Sequence, residues 1–207
     1  MAEHTRVGMI ILILLIGFIL IGAVSASIIL TTTGDISDEE LNRITTEAVD
    51  EICSYLQIKN VLGKYQFTQN PEKITQIAIQ IKPLVTQNIN FSHMTIQVSN
   101  GEQYNIFYFT GSSDTLHNYS LFKHPLWESM QPGTYSIVSI LDDDSSIIRL
   151  NHINKNTDVA FILLILPEDL ALKNGDQLTM TILPSPGIGR TISLEAPLPI
   201  HSIVSLY

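Results

Sequence analysis

The chain has almost no cysteine and none of the common catalytic motifs. It contains one cysteine, Cys53, in 207 residues, which excludes an intramolecular disulfide framework. We interpret Cys53 as a small buried apolar residue. No P-loop, G-x-S-x-G or H-E-x-x-H motif occurs, and the six histidines are scattered without metal-ligand spacing. An enzyme is therefore not expected, and stability outside a cell has to come from packing, glycosylation or assembly.

Basic residues are also scarce. Lysine and arginine total 11 against 20 aspartates and glutamates, which gives a net charge of −9. An acidic protein of this size lacks the electrostatic footprint of a nucleic-acid-binding protein. It also has no polybasic run of the kind that binds anionic lipid. We therefore expect no nucleic acid among its partners.

The longest feature that is present is an uncharged run of 24 residues, Val7 to Leu30, with the sequence VGMIILILLIGFILIGAVSASIIL. As an α-helix it is long enough to cross a hydrocarbon core of about 30 Å. Such a helix is apolar on every side and must be buried in something. Three interpretations compete: a secretory signal peptide, a transmembrane anchor, and a helix that stays in the membrane only until it packs against its copies in a filament.

The features of this run discriminate between the three. A signal peptide has a shorter apolar core of about 7–15 residues after a basic flank, whereas the preceding MAEHTR balances one arginine with Glu3. Small residues let helix backbones approach closely, and Gly22 and Ala26 show a small-xxx-small spacing. This favours the filament slightly, although anchors also carry such spacings.

A second, amphipathic segment follows the apolar run. Ser37 and Glu40 have the spacing of a capping box, and apolar residues then recur every three or four positions to about Leu56. Between Asp35 and Glu51 the other face carries seven carboxylates and one arginine, which we interpret as a solvated helix face. The two segments predict one continuous helix of roughly 50 residues. Glycine within a helix costs about 1 kcal/mol, so a bend or local unwinding near Gly34 is compatible with this prediction.

From about Lys64 the apolar residues recur at every second position, the period of a β-strand, and no longer at every third or fourth. Turn residues such as Asn100-Gly101 separate short segments that predict strands, at a spacing typical of a β-sandwich. The segment VAFILLIL is apolar on both faces and is expected to be a central strand, or one whose outer face meets another subunit. The predicted strands are Ile74–Ile81, Met94–Val98, Tyr104–Thr110, Thr134–Leu141, Ile147–Leu150, Val159–Leu166, Gln177–Leu183, Arg190–Leu194 and Ser202–Leu206.

The expected fold class is therefore α+β, with a long N-terminal helix followed by an antiparallel, immunoglobulin-like β-sandwich. The helix occupies residues 1–60 and the sandwich residues 61–207. Residues Asp142, Asp143 and Asp144 are weak candidates for a structural cation, because adjacent side chains diverge and ligands from elsewhere would be needed. No metal or other cofactor is predicted. Asn90 and Asn118 stand in N-x-S sequons and are candidates for N-glycosylation.

Both ends of the chain resemble the archaeal flagellins, or archaellins. The stretch VGMIILILLIGFILIGAVSASIILTTTG resembles their N-terminal core, and the acidic helix ending in LQIKNVLGKY resembles the second half of their helix. The tail DQLTMTILPSPGIGRTISLEAPLPIHSIVSLY is similar to their closing strands. The sequence departs from the family pattern in two places, the maturation site and the start of the uncharged run. MAEHTR offers no cleavage site, so we expect that a leader has already been removed, and Ile10 and Ile11 replace the usual glycine and threonine.

The resemblance implies a structural subunit of the archaeal flagellum, an extracellular cell-surface filament for swimming. It implies a helical homopolymer, alone or with paralogous flagellins, and a transient stay in the membrane. It also implies an export platform and a prepilin-peptidase-like enzyme as assembly partners. An adhesion pilin and a membrane-anchored monomeric β-sandwich of the filament motor or cell envelope are the alternatives. The residues expected to pack in the filament core are Ile10, Leu12, Leu14, Ile16, Phe18, Leu20, Val24, Ile28, Leu30, Leu41, Ile44, Ala48, Ile52 and Leu56.

Overall fold

The computed structural model describes residues 56–67, 72–117, 119–185 and 187–207, and this part of the chain is mostly β-sheet. Two short α-helices interrupt the strands, α1 at Leu126–Ser129 and α2 at Ser146–Leu150. Within the described ranges, no helix is both long and apolar enough to span a membrane. The strands are β1 (Leu56–Gln66), β2 (Lys73–Pro83), β3 (Ile89–Asn90), β4 (Thr95–Ser99), β5 (Tyr104–Thr115), β6 (Thr134–Leu141), β7 (His152–Ile153), β8 (Val159–Ile165), β9 (Gln177–Leu183), β10 (Arg190–Glu195) and β11 (Ile203–Ser205).

Strand β1 was not expected from the sequence. The helix was predicted to continue to Leu56, and its domain to residue 60, but Leu56 begins β1 and pairs with Pro83 of β2. The strand was missed because a β-bulge lies between Ile58 and Asn60. The bulge inserts one residue and interrupts the alternation of buried and exposed side chains along β1. Buried apolar residues therefore stand at Leu56, Ile58 and Val61, and the interval of three across the bulge is one that a helical pattern also shows.

Nine of the strands that the structure describes form one sheet in the order β10-β9-β4-β5-β6-β8-β2-β1-β11, and β3 pairs with β7 separately. The prediction of an antiparallel sheet holds for every strand pair described except β5 and β6, which are parallel. Parallel neighbours require a crossover connection of about a dozen residues or more. The segment 116–133 between these strands is long enough and contains α1.

The predicted strand Ile147–Leu150 is wrong, because these residues belong to helix α2. Ser145, just before the helix, is left-handed with φ 59°. The carboxylate of Asp142 accepts hydrogen bonds from the Ser146 and Ile147 backbone amides at 3.0 and 3.1 Å. These bonds satisfy amides that a first helical turn otherwise leaves without partners. The apolar residues 147–150, whose pattern predicted a strand, therefore form a short helix.

The C-terminal segment, which follows the edge strand β11, hydrogen-bonds both to β1 and to the opposite edge strand β10. The Leu206 amide donates to the carbonyl of Val61 in β1 at 2.9 Å, and the Glu195 amide at the end of β10 donates to the Leu206 carbonyl at 3.3 Å. Gly63 lies beneath this segment, where an added Cβ would be 2.9 Å from side-chain atoms of both Ile74 and Leu206. The sheet thus closes on itself at the last residues of the chain.

Strand β8 lies between β6 and β2, which confirms that VAFILLIL is central. Ile162 and Leu164 belong to the main core, together with buried residues from both halves of the sheet. Phe161 and Leu163 point to the other face and pack with Trp127 from the crossover segment 116–133. The second apolar face of β8 is therefore covered by the chain's own crossover.

Candidate cation site

The acidic turn after β6 lies close to the start of β8, because these two strands are antiparallel neighbours. Asp142 and Asp144 come from the turn, and Asp158 directly precedes β8. Each of the three contributes a carboxylate oxygen, and these oxygens all lie within 4.8 Å of one another. Asp143, the third candidate from the sequence, is not part of this group.

Asp158 is the buried member of the group, with 1% of its surface exposed. Its Oδ2 accepts hydrogen bonds from the backbone amides of Asn154 at 3.2 Å and Lys155 at 2.9 Å. Its Oδ1 is buried and has no hydrogen-bond partner among the residues that the structure describes. A buried carboxylate oxygen without a partner is costly, so the environment of Asp158 favours a positive charge at this oxygen.

The other two carboxylates are held in place by the turn itself. Asp144 Oδ1 accepts from the Ser146 amide at 3.1 Å, and its Oδ2 lies 3.0 Å from Asn154 Nδ2 and 3.2 Å from Lys155 Nζ. Hydrogen bonds from the side chains of Asn154 and Ser146 lower the pKa of Asp144 well below its usual range. Burial raises the pKa of Asp142, against the lowering effect of the Ile147 and Ser146 amides.

This arrangement has the chemistry of a hard-cation site. Calcium and magnesium prefer oxygen ligands, and carboxylates supply most of the charge. Asp142, Asp144 and Asp158 are the residues that would hold such an ion, and Lys155 is the cation that already offsets part of their charge. Sequence reasoning missed Asp158, although its position before the apolar strand next to β6 is a signal that could have found it.

The other candidate residues are dispersed. Asn90 is half-buried at the end of β3, where its Oδ1 accepts from the Ser92 amide at 2.8 Å. Asn118 lies outside the described residues, and so do all the filament-core candidates from Ile10 to Ile52. The remaining one, Leu56, is in β1 with its side chain in the core of the sheet domain, so its expected place in a helix is corrected.

Comparison with known proteins gives relatives along almost the whole chain. Flagellin B3 of Methanocaldococcus jannaschii is 24% identical over 203 residues, which cover 95% of this chain and 92% of the relative. Flagellin B5 of Pyrococcus abyssi is 24% identical over 206 residues, covering 90% of each chain.

Two solved structures share the fold. The crystal structure of archaeal flagellin FlaB1 from M. jannaschii has a TM-score of 0.64 at 20% identity, covering 73% of this chain and 95% of that one. The archaeal flagellum of Methanospirillum hungatei has a TM-score of 0.56 at 12% identity, covering 94% and 96%. The profile of the family described as archaeal-type flagellin matches residues 6–194. This chain therefore belongs to the archaeal-type flagellin family.

Proposed function

We propose that this chain is a structural subunit of an archaeal flagellum, polymerising into an extracellular helical filament for swimming. The observation that carries the proposal is the family match over residues 6–194, which includes the uncharged run and the sheet domain as far as β10. The similarity in fold to the M. hungatei flagellum chain supports it. The role is structural, not catalytic, and the motor would lie in other proteins.

The filament core in this proposal is the N-terminal segment. For the residues before β1 we propose the long helix expected from the sequence, with a prepilin-peptidase-like enzyme and an export platform as the partners that bring it from the membrane into the filament. Each aliphatic side chain there contributes about 1.5–3 kcal/mol when it leaves water, but lipid already shelters it, so packing between copies must supply the net preference. The residues proposed to pack are those from Ile10 to Ile52 named above, without Leu56.

The outer layer is the sheet domain, for which we propose an immunoglobulin-like sandwich. Buried residues of β4, β9 and β10 share one hydrophobic cluster with those of β1, β2 and β8, as two packed halves of a sandwich do. We propose that Asp142, Asp144 and Asp158 hold a divalent cation that fixes the turn between β6 and β8. Glycans at Asn90 and Asn118 complete the proposed outer surface.

The proposal is tested on filaments sheared from cells that express the chain. Electron microscopy and mass spectrometry should find this chain as a major component of the filaments. Leu14→Asp places a charge in the middle of the uncharged run, where it is strongly disfavoured in an apolar environment, and should abolish filaments. Thr191→Asp on the exposed face of β10 is the control and should leave them intact.

Each alternative has its own outcome in this experiment. Normal filaments with Leu14→Asp would refute a core made of this segment. A wild-type chain found only in the membrane fraction, with no filament, would instead indicate an anchored monomer. Filaments that contain the chain but support adhesion without swimming would indicate a pilin.

A further inference from the structure

Lys155 lies against the acidic group formed by Asp142, Asp144 and Asp158. Its Nζ is 3.2 Å from Asp144 Oδ2, and its side chain is 40% exposed. The hydrogen bond to Asp144 raises the pKa of Lys155, so the ammonium stays charged. The backbone amide of the same residue donates to Asp158 Oδ2 at 2.9 Å. The backbone of Lys155 is therefore fixed to the buried carboxylate, whereas its ammonium contacts an exposed one.

The ammonium compensates only part of the negative charge of the group. One positive charge faces three carboxylates whose oxygens lie within 4.8 Å of one another. Asp158 Oδ1 is buried and finds no hydrogen-bond partner within the described ranges, so Lys155 does not bond to it. A buried carboxylate oxygen in this state still favours a further positive charge. A divalent cation, which takes several oxygen ligands at once, compensates such a group better than one ammonium does.

The position of the three carboxylates does not depend on the Lys155 ammonium. Asp142 accepts from the backbone amides of Ser146 and Ile147. Asp144 accepts from the Ser146 amide at 3.1 Å and from the Asn154 side chain at 3.0 Å. Each carboxylate thus keeps hydrogen bonds from the turn, or in the case of Asp158 from the segment before β8, when the ammonium is elsewhere.

We propose that the Lys155 ammonium and a divalent cation are alternative counter-ions of the acidic group: Lys155 pairs with Asp144 while no ion is bound and is displaced into solvent when an ion binds. This rests on the cation site in the proposed function and adds how that site is regulated. An ion held by Asp144 has the ammonium as a near neighbour, and like charges at such short range repel each other strongly.

The displacement requires only a side-chain movement. Lysine carries its charge on a flexible four-carbon stem, and the stem of Lys155 already reaches solvent. The acidic turn is therefore compensated both when divalent ions are scarce around the chain and when they are plentiful. The cost is a weaker ion site, because the incoming ion has to replace a cation that is covalently part of the chain.

Amine labelling tests the displacement. The purified full-length chain is treated briefly with an acetylating reagent, in chelator and in saturating calcium, and the modified lysines are quantified by mass spectrometry. Calcium should increase the rate at which Lys155 is acetylated several-fold, because its ammonium leaves Asp144. Lys59, exposed on β1, is the control and should react equally fast in both conditions.

The variant Lys155→Met tests the competition by an independent measurement. In chelator its Tm should lie below that of the wild type, because the acidic group has lost its internal counter-ion. Calcium should then raise its Tm by more than it raises that of the wild type, and titration calorimetry should give a Kd for calcium at least about 5-fold lower. Lys59→Met changes the net charge equally and should respond to calcium as the wild type does.

The outcomes separate this proposal from the cation site on which it rests. If calcium raises the Tm of neither the wild type nor Lys155→Met, the cation site itself is refuted and the displacement with it. If calcium raises both equally, Lys155 does not compete and only the present proposal is overturned. Unchanged acetylation of Lys155 would overturn it as well, because the ammonium would then remain beside the bound ion. None of these measurements requires filaments, so a failure of the chain to polymerise leaves the test intact.

Discussion

The Tyr135 hydroxyl lies in the core within hydrogen-bonding distance of the carbonyl oxygens of Phe91 and Met94, at 2.6 and 2.7 Å. These carbonyls flank the 3-10 turn Phe91–His93 that leads into β4, whereas Tyr135 belongs to β6. One buried donor therefore fixes the turn to a strand more than 40 residues later.

Tyr135→Phe tests this connection. Phenylalanine retains the packing but removes the buried hydroxyl donor; the Phe91 carbonyl still accepts from the Met94 amide at 3.1 Å, and the lost hydrogen bond costs about 1–3 kcal/mol. We expect the free energy of unfolding to fall by that amount in urea titrations of the purified chain. Tyr108→Phe, at an exposed position, should change it very little. Equal effects of the two substitutions would contradict the assignment.

The same hydroxyl makes stability dependent on alkaline pH. Burial raises the pKa of Tyr135 far above that of a free tyrosine, and it also raises that of Tyr65, with the charges of Glu72 and Asp176 adding to the rise. Above about pH 10 the unfolded chain loses these protons while the folded chain keeps them, so stability is full below this pH and falls as pH rises further.

Unfolding free energies measured between about pH 9 and 12 should show this fall. In Tyr135→Phe the slope should be smaller by about one proton, or about 1.4 kcal/mol per pH unit. Tyr104→Phe is exposed and serves as the matched control. An unchanged slope in Tyr135→Phe would mean that this hydroxyl ionises equally in both states.

A divalent cation should stabilise the folded chain through the acidic group. Binding to the folded state alone contributes about 2.7 kcal/mol at a concentration 100 times the Kd, so calcium should raise the Tm measured against a chelator. Asp158→Asn should abolish the rise, because it removes the buried carboxylate with the unpartnered oxygen. Asp143→Asn, next to the group but outside it, should keep it. The opposite result for either variant would refute the site.

How far the sequence predicts this structure depends on which interactions are local. Strands with clear alternation, such as β9 and β10, were predicted almost residue by residue, because one buried face sets the period. Strand β1 was missed because its bulge mimics helical spacing, and α2 was missed because the bonds that start it come from the acidic turn. Both errors arise where a local pattern is overridden by a side chain or an irregularity.

The candidate site shows the same limit. The acidic turn was visible in the sequence, but its buried partner Asp158 is 14 residues beyond Asp144 and becomes adjacent only through the pairing of β6 with β8. The parallel pairing of β5 and β6 was likewise not predictable from alternation, which carries no information about strand direction. Pairings between distant segments are set by the topology and not by any motif.

Aromatic residues of the crossover 116–133 cover the face of β8 that carries Phe161 and Leu163. Trp127, the one tryptophan of the chain, stacks on Phe122 with ring centroids 5.7 Å apart, and its Nε1 donates to the Leu121 carbonyl at 2.8 Å. Phe122→Ala should reduce the free energy of unfolding by about 3–5 kcal/mol.

Fluorescence reports this change directly, since emission comes from Trp127. In Phe122→Ala we expect a red shift in the native state, because the indole loses its stacked neighbour and gains contact with water. Phe67→Ala removes the same ring from an exposed position and should leave emission unchanged and stability within about 0.5 kcal/mol. A native-state emission unaffected by Phe122→Ala would mean that the crossover does not depend on this pair to cover β8.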